Sequence, residues 1–173
     1  MTPEFSRVER LDTIGGEERR VLVTAEENER SALARRFGLI AIDRLEGDFM
    51  LHREAGGIIA RGSVRAAVVQ ACSVTGDPLA AVVDEEVALR FVAPATTEEE
   101  IELDAGALDT IEIEGGGIDL GEAAAETMAL ALDPFPRSPR AAETLKAAGV
   151  ISEEEAGPFG GLAGLKAALE KKG

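Results

Sequence analysis

Four carboxylates in one part of the chain recur at the spacing of a helix face. At 100° per residue they lie within about 60° of one another, and they are Asp119, Glu122, Glu126 and Asp133. Such a row could hold a divalent ion, bind a basic partner, or only keep one side of the helix in water. The solvated face is the most common of the three for an acidic helix. Features elsewhere in the sequence are needed to choose among the metal site, the partner-binding surface and the solvated face.

These carboxylates belong to an unusually acidic stretch. Residues 91–136 hold twelve Asp or Glu and no Lys or Arg, within a chain of net charge −15. This charge repels phosphate backbones and anionic membranes, and it favours basic partners. We predict that the four carboxylates share a partner-binding surface with the residues that end the stretch, Pro134, Pro136 and Arg137.

Patterns typical of catalytic and metal-binding sites are missing from the sequence. The single His, His52, and the single Cys, Cys72, are too few for a nucleophile with its base or for a zinc site. No glycine pattern of a nucleotide-binding loop is present. Magnesium held along Asp119, Glu122 and Glu126 is the remaining enzymatic alternative, and it ranks last. We expect a non-enzymatic protein without cofactor or metal, in which Cys72 is a buried structural thiol.

The composition predicts a soluble cytoplasmic protein. No apolar run approaches the ~20 residues needed to span a bilayer, and residues 1–10 lack the apolar core of a signal peptide. A lone Cys cannot form an intramolecular disulfide, which fits a reducing compartment. Apolar residues make up 45% of the chain, which is enough for a hydrophobic core.

Alternation of apolar and polar residues predicts a mainly antiparallel sheet. Two short strands are expected on either side of a turn at Gly15 and Gly16, over residues 5–11 and 19–24. Further strands are expected in IAIDRLEGDFMLHRE, GIIARGSVRAAVVQAC, AAVVDEEVALRFVAP, EIELDAG and DTIEIEGG.

Two segments have helical spacing instead. The first, residues 25–37, has Thr24 as its predicted N-cap and ends at Gly38. The second, residues 119–132, has Asp119 as its N-cap and ends before Pro134. The predicted class is α+β, with two helices packed on a sheet that could close into a barrel-like form.

The end of the chain has a different character from the rest. Residues 1–139 are predicted to form a single α+β domain, and residues 140–173 a flexible tail. The tail is irregular up to about residue 155 and ends in a short helix with an apolar side made of Phe159, Leu162, Leu165 and Leu169.

Two motifs carry a resemblance to a known family. DLGEAAAETMALALDPFPR, at residues 119–137, follows the pattern D-L-G-E-x(3)-E-x(3)-L-x-L-D-P-x-P-R, in which Gly121 is assigned a structural role. QACSVT, at residues 70–75, is a second and weaker motif. Together with ENERSALARRFGL and FGGLAGLK, they make the chain similar to the YceD family almost from end to end. Some relatives carry further Cys near the position of Cys72; this chain does not, so no metal role carries over.

The resemblance implies a role in ribosome biogenesis, because the family is named for accumulation of the large ribosomal RNA subunit. In many bacteria its gene adjoins that of a small basic ribosomal protein of the large subunit. Taken with the acidic stretch, this favours a partner that is a basic ribosomal protein or a basic assembly factor.

Direct binding to ribosomal RNA is the alternative mechanism. It would use Arg35, Arg36, Arg61 and Arg65 as phosphate contacts. Aromatic platforms for stacking bases are scarce, since the chain has neither Trp nor Tyr. Four other arginines could extend such a patch: Arg7, Arg10, Arg19 and Arg20. An RNA-processing enzyme that uses carboxylates and magnesium is the third alternative.

Overall fold

A computed structural model describes residues 3–94, 108–113 and 115–151. In these residues the strands are β1 (Val8–Arg10), β2 (Arg19–Thr24), β3 (Ala41–Glu54), β4 (Gly57–Ala71), β5 (Pro78–Val92), β6 (Asp109–Glu112) and β7 (Gly117–Asp119). The α-helices are α1 (Glu27–Phe37), α2 (Leu120–Ala131) and α3 (Ala141–Ala147), and a 3-10 turn covers Leu11–Thr13.

The main sheet has five strands in the order β2-β3-β4-β5-β6. β2 pairs antiparallel with β3, and β3 with β4. β6 joins parallel to β5, and β1 and β7 form a separate antiparallel pair. The predicted α+β class with a mainly antiparallel sheet is therefore confirmed. Among the described residues the sheet is open, with β2 and β6 at its edges, and does not close into a barrel.

The predicted alternation places apolar side chains of the long strands in one core. Phe49 and Leu51 of β3 are fully buried, as are Ala60 and Val64 of β4. α2 packs against β3 and β5 and buries Met128 on its inner side. Burial of large apolar side chains is worth about 1.5–3 kcal/mol each, so this contact fixes α2 and the carboxylates on its other side.

α1 begins two residues later than predicted. The N–H of Ala25 donates to the carbonyl of Leu45 at 3.0 Å, which keeps the chain extended at this point. Glu26 is therefore the N-cap in place of Thr24, and it forms a capping box with Glu29. The predicted end is confirmed: Gly38 has φ of 66° and closes the helix in the left-handed conformation.

The N-terminal strands do not form a hairpin around Gly15 and Gly16. β1 pairs with β7, more than a hundred residues away, while β2 pairs with β3. The expected strand DTIEIEGG is found as β6, although its pairing is parallel. The expected strand EIELDAG lies outside the described residues.

The chain divides into two compact units. The larger contains Met1–Gln70 and Pro78–Pro134, and the smaller contains Ala71–Asp77 and Phe135–Gly173. The smaller unit includes α3, in a stretch that sequence patterns predict to be irregular. The helix predicted at the end of the chain lies outside the described residues. Across the part of the chain that is described, no helix has the length and apolarity to cross a membrane.

Candidate functional site

Asp119 holds the start of α2 to the N-terminal segment. As predicted, it is the N-cap: its Oδ1 accepts N–H bonds from Gly121 at 3.0 Å and Glu122 at 3.2 Å. The same oxygen accepts the N–H of Arg7 at 2.8 Å, and Oδ2 accepts the hydroxyl of Ser6 at 2.5 Å. The acceptor capacity of this carboxylate is thus used within the fold.

Glu122 is also used within the fold. Its two oxygens accept hydrogen bonds from Arg36 at 2.6 and 3.0 Å, and Arg36 reaches Glu4 at 3.0 Å as well. The hydrogen bonds that Arg36 donates to Glu122 raise the pKa of Arg36, and its hydrogen bond to Glu4 raises it too. The pair joins α1 to α2, so Glu122 contributes less free negative charge than the sequence suggests.

The other two carboxylates of the predicted row are exposed. Glu126 lies on the second turn of α2, and Asp133 follows the helix, where its backbone carbonyl accepts the side-chain amide of Gln70 at 2.9 Å. Pro134 follows Asp133 and is exposed too. The predicted row is therefore split between two structural carboxylates at the start of α2 and two exposed ones toward its end.

A groove beside α2 gathers carboxylates that lie far apart in the sequence. Glu85 and Glu86 of β5 and Asp109 of β6 line it together with Leu130 of α2, and Arg61 of β4 is its basic residue. We call this surface the acidic groove. Its three carboxylates are exposed, and Leu130 has 86% of its surface open to solvent. The groove thus offers negative charge next to an apolar side chain, which suits a cationic polypeptide segment.

A second groove runs along the other part of α2. It is lined by Glu112 of β6 and by Glu122 and Glu126 of α2, together with the apolar Ile111 and Ile113. Its carboxylates outnumber its one cation, Arg10. The exposed Glu112 and Glu126 therefore extend the negative surface of the larger unit beyond the acidic groove.

Most of the candidate RNA-binding arginines are paired with carboxylates. Arg36 bonds to Glu122, and the Nε of Arg65 lies 3.2 Å from Asp84, with Glu46 opposite it in the sheet register. Arg61 lies in the acidic groove, and Arg35 lies exposed on the last turn of α1. The remaining four candidates all form ion pairs: Arg7 with Glu29, Arg10 with Asp12, Arg19 with Glu9 and Arg20 with Asp48.

The smaller unit brings the two sequence motifs together. The N–H of Ser73, from the QACSVT motif, donates to the carbonyl of Pro136 at 2.8 Å. The N–H of Ser138 donates to the sulfur of Cys72 at 3.2 Å. Pro136 is half-buried, and the neighbouring Arg137 is exposed. Pro136 therefore helps to position a loop, while Arg137 stays accessible.

Cys72 is buried, as predicted, with 4% of its surface exposed. Burial raises the pKa of its thiol, but hydrogen bonds from Thr75 and Ser138 lower it by more than burial raises it. The net result is a pKa of about 6. Next to it, two hydrogen bonds from Arg140 lower the pKa of Asp77. Within the described residues, no three His, Cys, Asp or Glu side chains lie close enough together to hold a metal ion.

The thiol of Cys72 should titrate near pH 6 in the folded protein and at about pH 8.5 after unfolding in urea. Because the folded pKa is lowered, the ionised thiol stabilises the native state above the unfolded pKa. That contribution is lost as the pH falls from about 8.5 toward 6. The ultraviolet absorbance of the thiolate measures this cleanly, since the chain has one Cys and no Tyr. Cys72→Ala provides the blank, and a folded thiol that titrates above pH 8.5 would contradict the expected hydrogen bonding.

Sequence reasoning missed the acidic groove. Glu85, Glu86 and Asp109 come from different strands, and only the topology brings them beside α2. One signal was available: the run DEE at residues 84–86 interrupts the apolar alternation of β5. Leu130 belongs to the DLGEAAAETMALALDPFPR motif and was expected on a helix, but its exposure could not be read from periodicity alone.

These features define an open-sheet α+β protein with an acidic surface along one helix. The sequence profile of the family described as "Large ribosomal RNA subunit accumulation protein YceD" matches residues 60–166, which is more than half of the chain. The chain belongs to the YceD family, as its motifs predicted. The match includes β5, α2, all but the first three residues of β4 and every residue that we place in the acidic groove. The name of the family links the chain to accumulation of large-subunit ribosomal RNA. Searches of curated proteins and of solved structures found no significant match.

Proposed function

We propose that this protein is a non-enzymatic ribosome biogenesis factor that binds a basic ribosomal protein or assembly factor through the acidic groove. Accumulation of large-subunit ribosomal RNA would then depend on this contact, because ribosomal RNA that lacks its proteins is not assembled into a stable subunit. The proposal includes no cofactor, no metal and no catalytic residue, and it places the encounter in the cytoplasm.

The observation that carries the proposal is the composition of the acidic groove. Glu85, Glu86 and Asp109 are exposed, and none of them forms an ion pair with another described residue. Leu130 supplies an exposed apolar contact in the same groove. Complementary charge around an apolar contact gives fast and specific protein association that weakens with salt.

The ion pairing of the candidate arginines favours a protein partner over RNA. A phosphate backbone needs several unpaired cations at one surface, whereas six of the eight candidate arginines form ion pairs here. Arg61 and Arg65 lie four residues apart on β4, about 13 Å along the strand. Arg65 faces Asp84 and Glu46, and Arg61 lies among the carboxylates of the acidic groove, so both are surrounded by negative charge.

The test removes the charge of the acidic groove without changing its shape. The triple variant Glu85→Gln, Glu86→Gln, Asp109→Asn should bind basic large-subunit ribosomal proteins about tenfold more weakly at low salt. In cells that carry only this variant, large-subunit ribosomal RNA should fall. RNase treatment during the binding assay separates a protein contact from one that RNA bridges.

A matched control changes the same number and kind of charges elsewhere. Glu17→Gln, Glu18→Gln, Asp43→Asn removes three exposed carboxylates outside the groove, and it should leave binding and RNA levels unchanged. Both triple variants should melt like the original protein, since exposed substitutions usually change stability by less than about 0.5 kcal/mol. Equal loss of binding in both variants, or binding that disappears with RNase, would overturn the proposal.

A single substitution tests the carboxylate row predicted on α2. Glu126→Gln removes an exposed charge and should weaken binding if this part of the helix belongs to the contact. Glu122→Gln is less informative, because it also breaks the ion pair with Arg36 and so changes how α1 and α2 are joined.

A further inference from the structure

β5 is much longer than the strand at its outer side. It covers Pro78–Val92, but β6 pairs only with its last four residues, from Leu89 to Val92. Within the described chain, no strand lies on that side of residues 78–88. A long unpaired strand edge is a template for pairing with another extended chain.

The polar backbone groups of this edge can be assigned to alternate residues. The N–H of Ile113 donates to the carbonyl of Val92 at 2.7 Å, so the backbone groups of Val92 point toward β6. A methyl group built on Gly57 of β4 would lie 2.2 Å from the carbonyl oxygen of Phe91, which therefore points toward β4. Backbone groups alternate sides along a strand, so Val82, Asp84 and Glu86 direct their N–H and C=O groups to the free edge.

The free edge has little of the protection that edges usually carry. Lysine, proline and bulges commonly block strand pairing. Pro78 begins this edge, but LAAVVDEEVA at residues 79–88 contains no Lys and no further Pro. Val82 has 82% of its surface exposed, and Asp84, Glu85 and Glu86 are exposed as well. Carboxylates are thus the main feature that controls what can pair here.

Charge decides which occupant fits. A second copy of the chain would place its own acidic edge against this one, and like charges opposite each other destabilise strand pairs. Residues 95–107 of the same chain carry five carboxylates and no Lys or Arg, so their charge does not complement that of the edge. A cationic extended polypeptide supplies both the backbone groups and the opposite charge.

We propose that the basic partner binds by strand addition, with a Lys/Arg-rich extended segment pairing to residues 78–88 of β5 as a new edge strand. This rests on the proposed function and specifies how the partner is held. The segment would run beside the acidic groove, which is lined by residues 85–89 of the same strand. Backbone hydrogen bonds would give affinity, while Glu85, Glu86 and the exposed Leu130 would select alternating basic and apolar side chains.

A pair of synthetic peptides tests the backbone contribution. The first is a ten-residue peptide in which Lys or Arg alternates with Val or Thr. The second has the same sequence and charge, with N-methyl groups on alternate residues so that one edge cannot pair. The unmodified peptide should bind about tenfold or more tightly, because several backbone hydrogen bonds separate the two. Its binding should also slow hydrogen exchange at the amides of Val82, Asp84 and Glu86.

Substitutions at Val82 test the same contact from the side of the protein. Val82→Pro removes an N–H that points outward and should reduce binding of the unmodified peptide about tenfold. Val82→Thr keeps the N–H and should bind like the original protein. Both variants should melt normally, because the side chain of Val82 is exposed.

The outcomes separate this inference from the proposed function. If both peptides bind equally and Val82→Pro has no effect, strand addition is wrong while a charge-driven contact at the acidic groove stands. If neither peptide binds, both proposals are overturned. Binding of a ribosomal RNA fragment in place of the unmodified peptide would also overturn both.

Discussion

Replacing Gly121 with alanine should lower the melting temperature of the protein by about 4–8 °C, which corresponds to about 2 kcal/mol. A Cβ atom at this position would lie 2.6 Å from the carbonyl oxygen of Phe5 and 3.0 Å from the backbone N of Arg7. Backbone atoms cannot rotate away as a flexible side chain can. Alanine gains up to about 1 kcal/mol of helix propensity over glycine, but overpacking of this kind costs about 1–3 kcal/mol or more. The clash should therefore outweigh the gain.

The site of Gly121 explains why the clash cannot be relieved locally. The N–H of Leu120 donates to the carbonyl of Arg7 at 3.1 Å, and Asp119 holds the same segment through Ser6 and Arg7. Moving the N-terminal segment outward would stretch these hydrogen bonds together. It would also expose Phe5, which is fully buried.

Gly116→Ala is the matched control for this prediction. It lies in the same part of the chain, and a Cβ atom there would meet nothing within 4 Å. Its stability should change by less than about 0.5 kcal/mol. Thermal melting followed by circular dichroism measures both variants. A Gly121→Ala protein that melts at or above the original temperature would show that α2 and the N-terminal segment are not in close contact.

Proline should be tolerated at position 86 and strongly destabilising at position 85. The N–H of Glu86 points to the free edge of β5, whereas that of Glu85 points toward β4. Glu85→Pro therefore removes a ladder hydrogen bond inside the sheet and leaves its partner carbonyl unpaired. The expected cost is about 1–3 kcal/mol for the lost pairing alone, which lowers the melting temperature by several degrees.

The two proline variants control for each other. They lose the same charge and gain the same ring, on opposite faces of the sheet, and the missing N–H points in opposite directions. Glu86→Pro should change stability by less than about 1 kcal/mol, since proline is accepted where an edge strand faces solvent. Denaturant unfolding measures both differences. If the two variants were equally destabilised, the assigned direction of the β5 backbone groups would be wrong, and strand addition would lose its structural basis.

Local signals in the sequence predicted the elements whose neighbours are close in the chain. Gly38 ends α1 and Asp119 caps α2, because a helix cap depends on three or four residues. The period of two in β3 and β4 predicted which side chains are buried. These features follow from backbone geometry and need no knowledge of distant contacts.

Features that depend on distant residues were not predictable in the same way. Glu122 was expected to be free, yet its partner Arg36 lies 86 residues earlier in the chain. The start of α1 shifted because the N–H of Ala25 bonds to Leu45 of β3. The short helix α3 was missed because its seven residues follow a proline-rich stretch and bury only Ala141.

In the candidate site, too, local features were predictable from the sequence, whereas features that depend on distant residues were not. Sequence patterns located the acidic stretch and its exposed carboxylates Glu126 and Asp133. They could not select the strands that meet α2. Because β6 joins the sheet in parallel over only four residues, it leaves most of β5 unpaired on that side among the described residues. Neither the groove nor the free edge exists without that arrangement.

The pairing of β1 with β7 also sets an order for events during synthesis. Arg7 and Asp119 are 112 residues apart in the chain, and closing so long a loop costs entropy before any contact offsets it. A growing chain therefore exposes its N-terminal segment, including the apolar Phe5, until α2 has left the ribosome. By then β2, β3, β4 and β5 have already been made, so the main sheet can assemble first. The larger unit is completed only when its earliest residues pair with some of its latest.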